Sequence, residues 1–526
     1  MKRIQVLDCT LRDGGYCNNW QFGYQNMQRI TQGLTEANID IVECGFLTHK
    51  TQCDKEISKF NTIEEIRDII PIDRTNKLYV AMINYGEYCI EDLPNNDYSS
   101  VDGIRLAFHK KDWYAALEMC REIQKKGYLV FVQPMVSMSY TDEEFIKLIR
   151  NVAEFHPYAF YIVDSFGSMQ QKTLTRLFCL VEHNMYEDIR IGFHSHNNMQ
   201  LAFSNAQTLV SLHSSHKLII DSSIYGMGRG AGNLNTELFV EYLNAYTGAD
   251  YRIKPLLQII DEILNDFYKR NYWGYSLPNY ISAKFDTHPN YAGYLADKNT
   301  LTVENMNEIF EIMDSEKRVE FDKNYIEQLY IRYMQRERIQ SSQLETLKNT
   351  LKGKRVLLIA PGKSSIEEKE KIVAFASQND VLSVSVNHSY PHFHTDYKFI
   401  SNIRRFKDID KSALENCIIT SNIMVNLSVV KVEYSSLLNS IEAVKDNAGL
   451  MCIRLFIDLG VQEIWLAGFD GYTHDVRLNY AEKSMEIITQ EAVLDAMNSG
   501  IISVLQQYQK EANIRFLTSP KKIIMK

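Results

Sequence analysis

Two histidines stand two residues apart in the segment Phe193-His194-Ser195-His196-Asn197-Asn198. On an extended strand, a spacing of two puts both imidazoles on one face. Two neutral imidazoles and one carboxylate are a common ligand set for a divalent metal that keeps open positions. A suitable carboxylate, Asp13, follows the first apolar run of the chain, in the turn Arg12-Asp13-Gly14-Gly15. Other polar groups also lie within or just after apolar runs: Glu43, Gln133, the pair Asp164-Ser165, and a Gly-rich turn from Gly226 to Asn233. A lone His-x-His pair is weak as a signal. Joined to an Arg-Asp-Gly turn and a Gly-rich turn ending in Asn, it is much more specific.

These residues need elements that bring them together. Short β-branched runs at residues 4–9, 39–45, 78–83, 103–108, 129–133, 160–164, 189–194 and 218–224 predict eight strands. The segments between them carry helical spacing. Over 113–126, Ala115, Ala116, Met119, Cys120 and Ile123 share a side, and over 142–155 Thr141 is the N-cap, with Glu144 at the capping-box position. Eight strands alternating with helices predict a (β/α)8 TIM barrel, in which chemistry belongs to the carboxyl ends of the strands. On that reading residues 1–250 are the barrel and 251–350 a helical extension and linker. Residues 351–526 are a Rossmann-like, doubly wound α/β domain, with strands at 355–360, 381–386, 398–400, 417–421 and 463–467. In a closed barrel the first and seventh strands lie two apart, which lets Asp13 meet His194 and His196.

Composition narrows the class. The chain has 526 residues, 45% hydrophobic and 23% charged, in the range of an ordinary globular protein. The net charge of −9 argues against a general nucleic-acid binder but leaves room for a small cationic pocket. No apolar run is long enough for a membrane helix, and the opening MKRIQVLDCT lacks the apolar core of a signal peptide, so a cytoplasmic location is expected. The nine cysteines are scattered without a Cys-x-x-Cys pair and read as reduced thiols.

The four segments DCTLRDGG, VECGF, FHSHNN and GMGRGAGN, in this order and on the first, second, seventh and eighth strands, resemble the DRE-TIM metallolyase superfamily over roughly residues 1–245. That group includes 4-hydroxy-2-oxovalerate aldolases, HMG-CoA lyases, and isopropylmalate and homocitrate synthases. The tight RDGG opening looks most like the aldolase branch. The resemblance implies a Mn2+ or Mg2+ ion held by Asp13, His194 and His196, a 2-oxo acid substrate, and a pyruvate enolate stabilised by the metal and Arg12. It also implies that Asn233 is either a further ligand or the brace of the Gly-rich turn. Glu43 orients Arg12 or a metal-bound water, or is a buried structural partner. Asp164 and Ser165, with Gln133, stand where substrate or a ligand-orienting group would be met. One departure stands out: where the related aldolases place a base histidine, this chain has Tyr16. A phenol titrates near 10 and is a poor base at neutral pH. Either Tyr16 donates a hydrogen bond, or another group, His49 or His109, takes the proton. An acyl-CoA condensing enzyme or lyase of the same superfamily is the alternative.

The remaining motifs are less specific. Gly226–Asn233 also fits G-x-G-x-x-A, but it follows the eighth strand rather than opening a βαβ unit, which argues against a dinucleotide fingerprint. In the second domain, Pro361-Gly362-Lys363-Ser364 is a strand-to-helix turn that would favour anions but lacks P-loop spacing. A nucleotide or sugar ligand is the expected partner there, with the barrel as a scaffold for a transferase-like domain as a further alternative. His388, His392 and His394 lie in one loop, as an exposed or substrate-facing segment or a metal cluster. Self-association into a homo-oligomer is compatible with the fold.

Overall fold

The computed structural model describes residues 4–523 apart from 53, 336–341, 391–393, 408, 410–413, 415, 426–428, 487–488 and 490. The chain forms two compact units. One comprises Met1–Tyr294 with Asp314–Phe321, the other Leu295–Met313 with Asp322–Lys526. The helical stretch at 251–350 is thus divided between them. Among the described residues no helix is long and apolar enough to cross a membrane.

The first unit is built on eight parallel strands: β1 (Ile4–Asp8), β2 (Ile41–Leu47), β3 (Leu78–Asn84), β4 (Gly103–Phe108), β5 (Leu129–Pro134), β6 (Ala159–Asp164), β7 (Arg190–Ser195) and β8 (Leu218–Ser222). Each pairs with its neighbours in chain order. β1 pairs both with β8, from Ile4 opposite Leu218, and with β2, at Leu7 opposite Ile41, so the sheet closes. A two-residue strand, Lys59–Phe60, hangs on β2. The predicted helices are present. Trp113–Lys125 buries Ala116, Met119, Cys120 and Ile123, and Asp142–Ala153 carries the expected Thr141–Glu144 capping box.

Strand periodicity positions the site. Leu7, Cys9, Ile41, Val80, Phe131, Ala159, Tyr161, Val163 and Ile219 pack into one buried cluster, the filling of the barrel. Continuing in steps of two toward the carboxyl ends, Ile41 leads to Glu43, Phe131 to Gln133 and Ile219 to Asp221. On β7, Gly192 leads to His194 and His196. The apolar floor therefore gives way to a polar layer on the same inward-facing positions.

Among the described residues the second unit holds seven parallel strands: β9 (Arg355–Ile359), β10 (Val381–Val386), β11 (Tyr397–Ile400), β12 (Cys417–Thr420), β13 (Val430–Val432), β14 (Glu463–Ala467) and β15 (Asn513–Phe516). Their order is β13-β12-β11-β10-β9-β14-β15, a doubly wound sheet whose order reverses between β9 and β14. β13 and β15 are not among the strands that the sequence predicts; they are short edge strands whose place is decided by pairing with β12 and β14. His392 lies outside the described residues; His388 Nε2 is 3.4 Å from Glu482, and His394 is exposed.

Gly192 has a packing reason. A Cβ there would sit 2.3 Å from the ring of Tyr161, which is fully buried in the barrel filling. Gly192→Ala should therefore lower stability by about 1–3 kcal/mol through overpacking. A thermal melt with an unchanged midpoint would contradict this account of the barrel interior.

Candidate metal centre

Asp13, His194 and His196 converge as the sequence anticipates. All three are buried, and one ligand atom from each lies within 4.8 Å of the others. Asp13 reaches the site because the chain turns back after β1, the N–H groups of Arg12 and Asp13 donating to the carbonyl of Cys9 at 3.1 and 2.8 Å. His196 Nδ1 lies 3.7 Å from Asp13 Oδ2 and is buried without a hydrogen-bond partner. His194 Nδ1 is engaged by Asp221 Oδ2 at 3.0 Å, which leaves its other nitrogen for a ligand. Asn233 donates from Nδ2 to Asp13 Oδ2 at 2.7 Å, while its buried Oδ1 has no partner. Orphaned donor atoms on a carboxylate–imidazole set, enclosed from water, are what a divalent cation would satisfy.

Protonation states agree with a ligand role. Burial, reinforced by Arg229, pushes His196 down to about 3 despite the nearby Asp13, so the imidazole is neutral at pH 7. Burial pushes the Asp13 carboxyl up, but His196, Arg12, His194 and Arg229 together outweigh it, and the group lies below the usual carboxylate range.

Behind the ligands runs a buried ion chain. Arg12 Nη1 donates to Asp13 Oδ1 at 2.6 Å and Arg12 Nε to Glu43 Oε2 at 2.9 Å. Glu43 Oε1 is in ion-pair contact, at 2.9 Å, with Arg105 Nη1, although the two are not aligned as a hydrogen bond. Arg105 also pairs with Asp221 and lies 4.8 Å from the centre of the Tyr161 ring. Burial pushes Asp221 up, but Arg105 and His194 more than offset it, and its carboxyl lies below the ordinary value. The chain therefore runs from one candidate ligand, His194, through Asp221, Arg105, Glu43 and Arg12 to another, Asp13. Neither Arg105 nor Asp221 was picked out from the sequence. The available signal was a charged residue in an inward-facing position of an otherwise apolar strand.

The other anticipated residues are placed as follows. Tyr16 packs against Trp20 (4.7 Å between ring centres) and Phe46, with the Arg229 guanidinium 5.4 Å from its ring centre. It keeps 40% of its surface accessible, yet burial of its hydroxyl raises the phenol above its usual value in spite of Arg229. Such a group holds its proton at pH 7. His49 is half-exposed, tilted on Tyr88 and 3.8 Å from Asp92, so its side chain engages those residues rather than the cluster. Gln133 is buried with its Nε2 unpartnered. Asp164 accepts from the backbone N–H groups of Ser168 and Met169, both at 3.1 Å, and so shapes its own loop; burial pushes it up to about 7. Ser165 Oγ accepts from the Val136 N–H, and its carbonyl accepts from Arg229. His109 borders the mouth, with Nδ1 buried and unpartnered.

The barrel half of the chain is similar to known proteins. The HMGL-like family profile matches residues 108–261. A 4-hydroxy-2-oxovalerate aldolase of Geobacillus thermodenitrificans is 25% identical over 277 residues, which is 50% of this chain and 79% of that protein. One of Pelotomaculum thermopropionicum is 26% identical over 270 residues, 50% of this chain and 77% of that protein. Among solved structures, the N-terminal domain of a candidate aldolase from Bacteroides vulgatus is 27% identical, with a TM-score of 0.49, covering 56% of this chain and 96% of that one.

The glycine turn is fitted to the centre. A Cβ on Gly228 would lie 2.2 Å from Asn233 Nδ2 and 2.8 Å from Asp13 Oδ2. Gly228→Ala should displace both and weaken divalent-metal binding. Asp221→Asn, which disturbs the partner of His194, should weaken it by about 10- to 100-fold. Metal titration by calorimetry reads both; wild-type affinity in the two variants would contradict the arrangement.

Proposed function

We propose, on the premise that the barrel carries an HMGL-like domain of the DRE-TIM metallolyase type, that this protein is a carbon–carbon lyase. In this reading it is an aldolase that cleaves or forms a 4-hydroxy-2-oxo acid through a pyruvate enolate, using Mn2+ or Mg2+. The observation that carries the reading is the convergence of buried Asp13, His194 and His196 at the carboxyl end of the barrel, with Arg12 bonded to Asp13. A divalent ion held by these residues supplies Lewis-acid polarisation of the keto oxygen of a 2-oxo acid.

The chain's own residues supply the rest. Arg12, fixed by Glu43 and Asp13, is a permanent cation where negative charge develops on the enolate oxygen, and its geometry needs no reorganisation during the reaction. Gln133 offers an unpartnered amide N–H to a substrate oxygen. Tyr16 keeps its proton and donates, rather than accepting the proton of the substrate hydroxyl. Trp20 and Phe46 pack around it and keep that face of the site apolar.

The second unit has its own binding geometry, which favours a ligand-binding role for it. A cleft of about 380 Å3 opens at the carboxyl ends of β9 and β14, where the strand order reverses; its lining includes Gly362, Arg405, Asn447, Gly468 and Tyr472. Open α/β sheets bind ligands at this position, and a nucleotide or sugar suits a cleft of this size.

Pyruvate should be released from one or more of a panel of 4-hydroxy-2-oxo acids, and chelation should abolish the release. Asp13→Ala or His194→Ala should lower turnover by at least about a hundredfold. Protein that binds no divalent ion when supplied with excess Mn2+ or Mg2+, and does not exchange the methyl protons of pyruvate with solvent, would refute the aldolase reading.

A further inference from the structure

At the mouth of the barrel, nitrogen donors face one another with no acceptor between them. His288 Nδ1 faces the backbone N–H of Asn290 at 3.3 Å and its Nε2 faces Arg229 Nη1 at 3.4 Å, and both partners are donors. A neutral imidazole carries one proton and accepts at one nitrogen only, so one of these two contacts sets donor against donor, and the tautomer protonated on Nε2 leaves it at Arg229. Arg229 Nη2 is used by the Ser165 carbonyl at 3.0 Å, but its Nε is buried without a partner, as is His109 Nδ1. Burial, with Arg229 and His109 nearby, pushes His288 down to about 3, so the imidazole is neutral at pH 7 and adds no second fixed charge. Buried donors left unmatched are costly unless a bound group completes them.

Arg229 ties this cluster to the metal centre. Its backbone N–H points to Asp13 Oδ2 at 3.4 Å, and its guanidinium lies 5.4 Å from the Tyr16 ring centre. His288 is walled by Phe166 and Phe321, at 6.5 and 6.0 Å between ring centres. His109 also lines a cleft of about 560 Å3 that includes Trp113, Tyr114, Val136 and Tyr140. The cleft abuts the same loop, since Val136 donates to Ser165 Oγ. There is thus room beyond the cluster for the part of a substrate that does not become pyruvate.

We propose that Arg229 and His288, with His109 beside them, form a subsite for an anionic oxygen group, a carboxylate or a phosphate, on the aldehyde-derived half of the substrate. This rests on the aldolase reading. An oxyanion between Arg229 and His288 accepts from both and turns a donor–donor confrontation into two charge-assisted hydrogen bonds. A neutral alkyl tail would leave those donors unmet, and the site would discriminate against it.

The test has two independent arms. In the first, kcat/KM is measured for 4-hydroxy-2-oxo acids with methyl, carboxylate and phosphate-bearing tails. The wild type should favour an anionic tail by about tenfold or more, and Arg229→Gln and His288→Gln should each bring that ratio toward one. In the second, the full chain, with metal and after chelation, is titrated with inorganic phosphate and with malonate. Binding should survive chelation and weaken about tenfold in each variant, and the tighter titrant tells carboxylate from phosphate. A wild-type preference for the methyl tail, or anion binding that is absent or indifferent to both substitutions, would overturn the proposal. Anion binding that depends on His288 in a protein without pyruvate chemistry would support the subsite and defeat the aldolase reading. Pyruvate release without anion preference or anion binding would do the reverse. If one variant fails to fold, the other is read, and the wild-type ratio decides by itself if both fail.

Discussion

The barrel depends on one buried side chain, Arg105, which has no exposed surface. It pairs with Glu43 on one side and Asp221 on the other. An unpaired guanidinium at this depth would be strongly unfavourable, and so would either carboxylate without it. The three are therefore held in one geometry, and that geometry is passed outward to His194 through Asp221 and to Asp13 through Glu43 and Arg12. The buried chain contains one more carboxylate than guanidinium, so it carries net negative charge in a dry interior. A divalent cation held by Asp13 and the two histidines would offset that charge. The arrangement that orders the polar layer thus also leaves a site whose charge suits a cation.

Much of this was legible in the sequence because strands of a closed barrel obey a period of two. The eight apolar runs and the polar residues at their ends mark the strands and the site together, and His194, His196 and Asp13 meet for that reason. Arg105 and Asp221 were harder to see. Each is a single charge inside an apolar strand, in GIRLAF and LIIDS, where composition reads as core. Only the inward parity of their positions marks them, and parity becomes visible once the barrel register is known. His288 was invisible for a different reason. It comes from the helical stretch after the barrel, whose placement follows from packing rather than from a repeating pattern.

The second unit shows the same contrast. Its central strands, β9, β10 and β14, are β-branched and apolar and were read from sequence. Edge strands β13 and β15 have three and four residues, and their place is decided by pairing with β12 and β14.

Tyr16 limits what this face of the barrel can do with a proton. A histidine there could cycle between protonated and neutral forms, whereas a phenol raised further by burial cannot. Its ring is instead part of an apolar wall with Trp20 and Phe46, and that wall brings the Arg229 guanidinium to a fixed distance above it. With Arg229 held by the Tyr16 ring, the Ser165 carbonyl and the turn at Asp13, positive charge is fixed at the mouth of the barrel as well as at the metal centre. Replacing a titrating group by an aromatic one removes a proton acceptor from this position and fixes a cation next to it. A proton released at this face of the barrel at neutral pH therefore has to be taken by a group other than Tyr16.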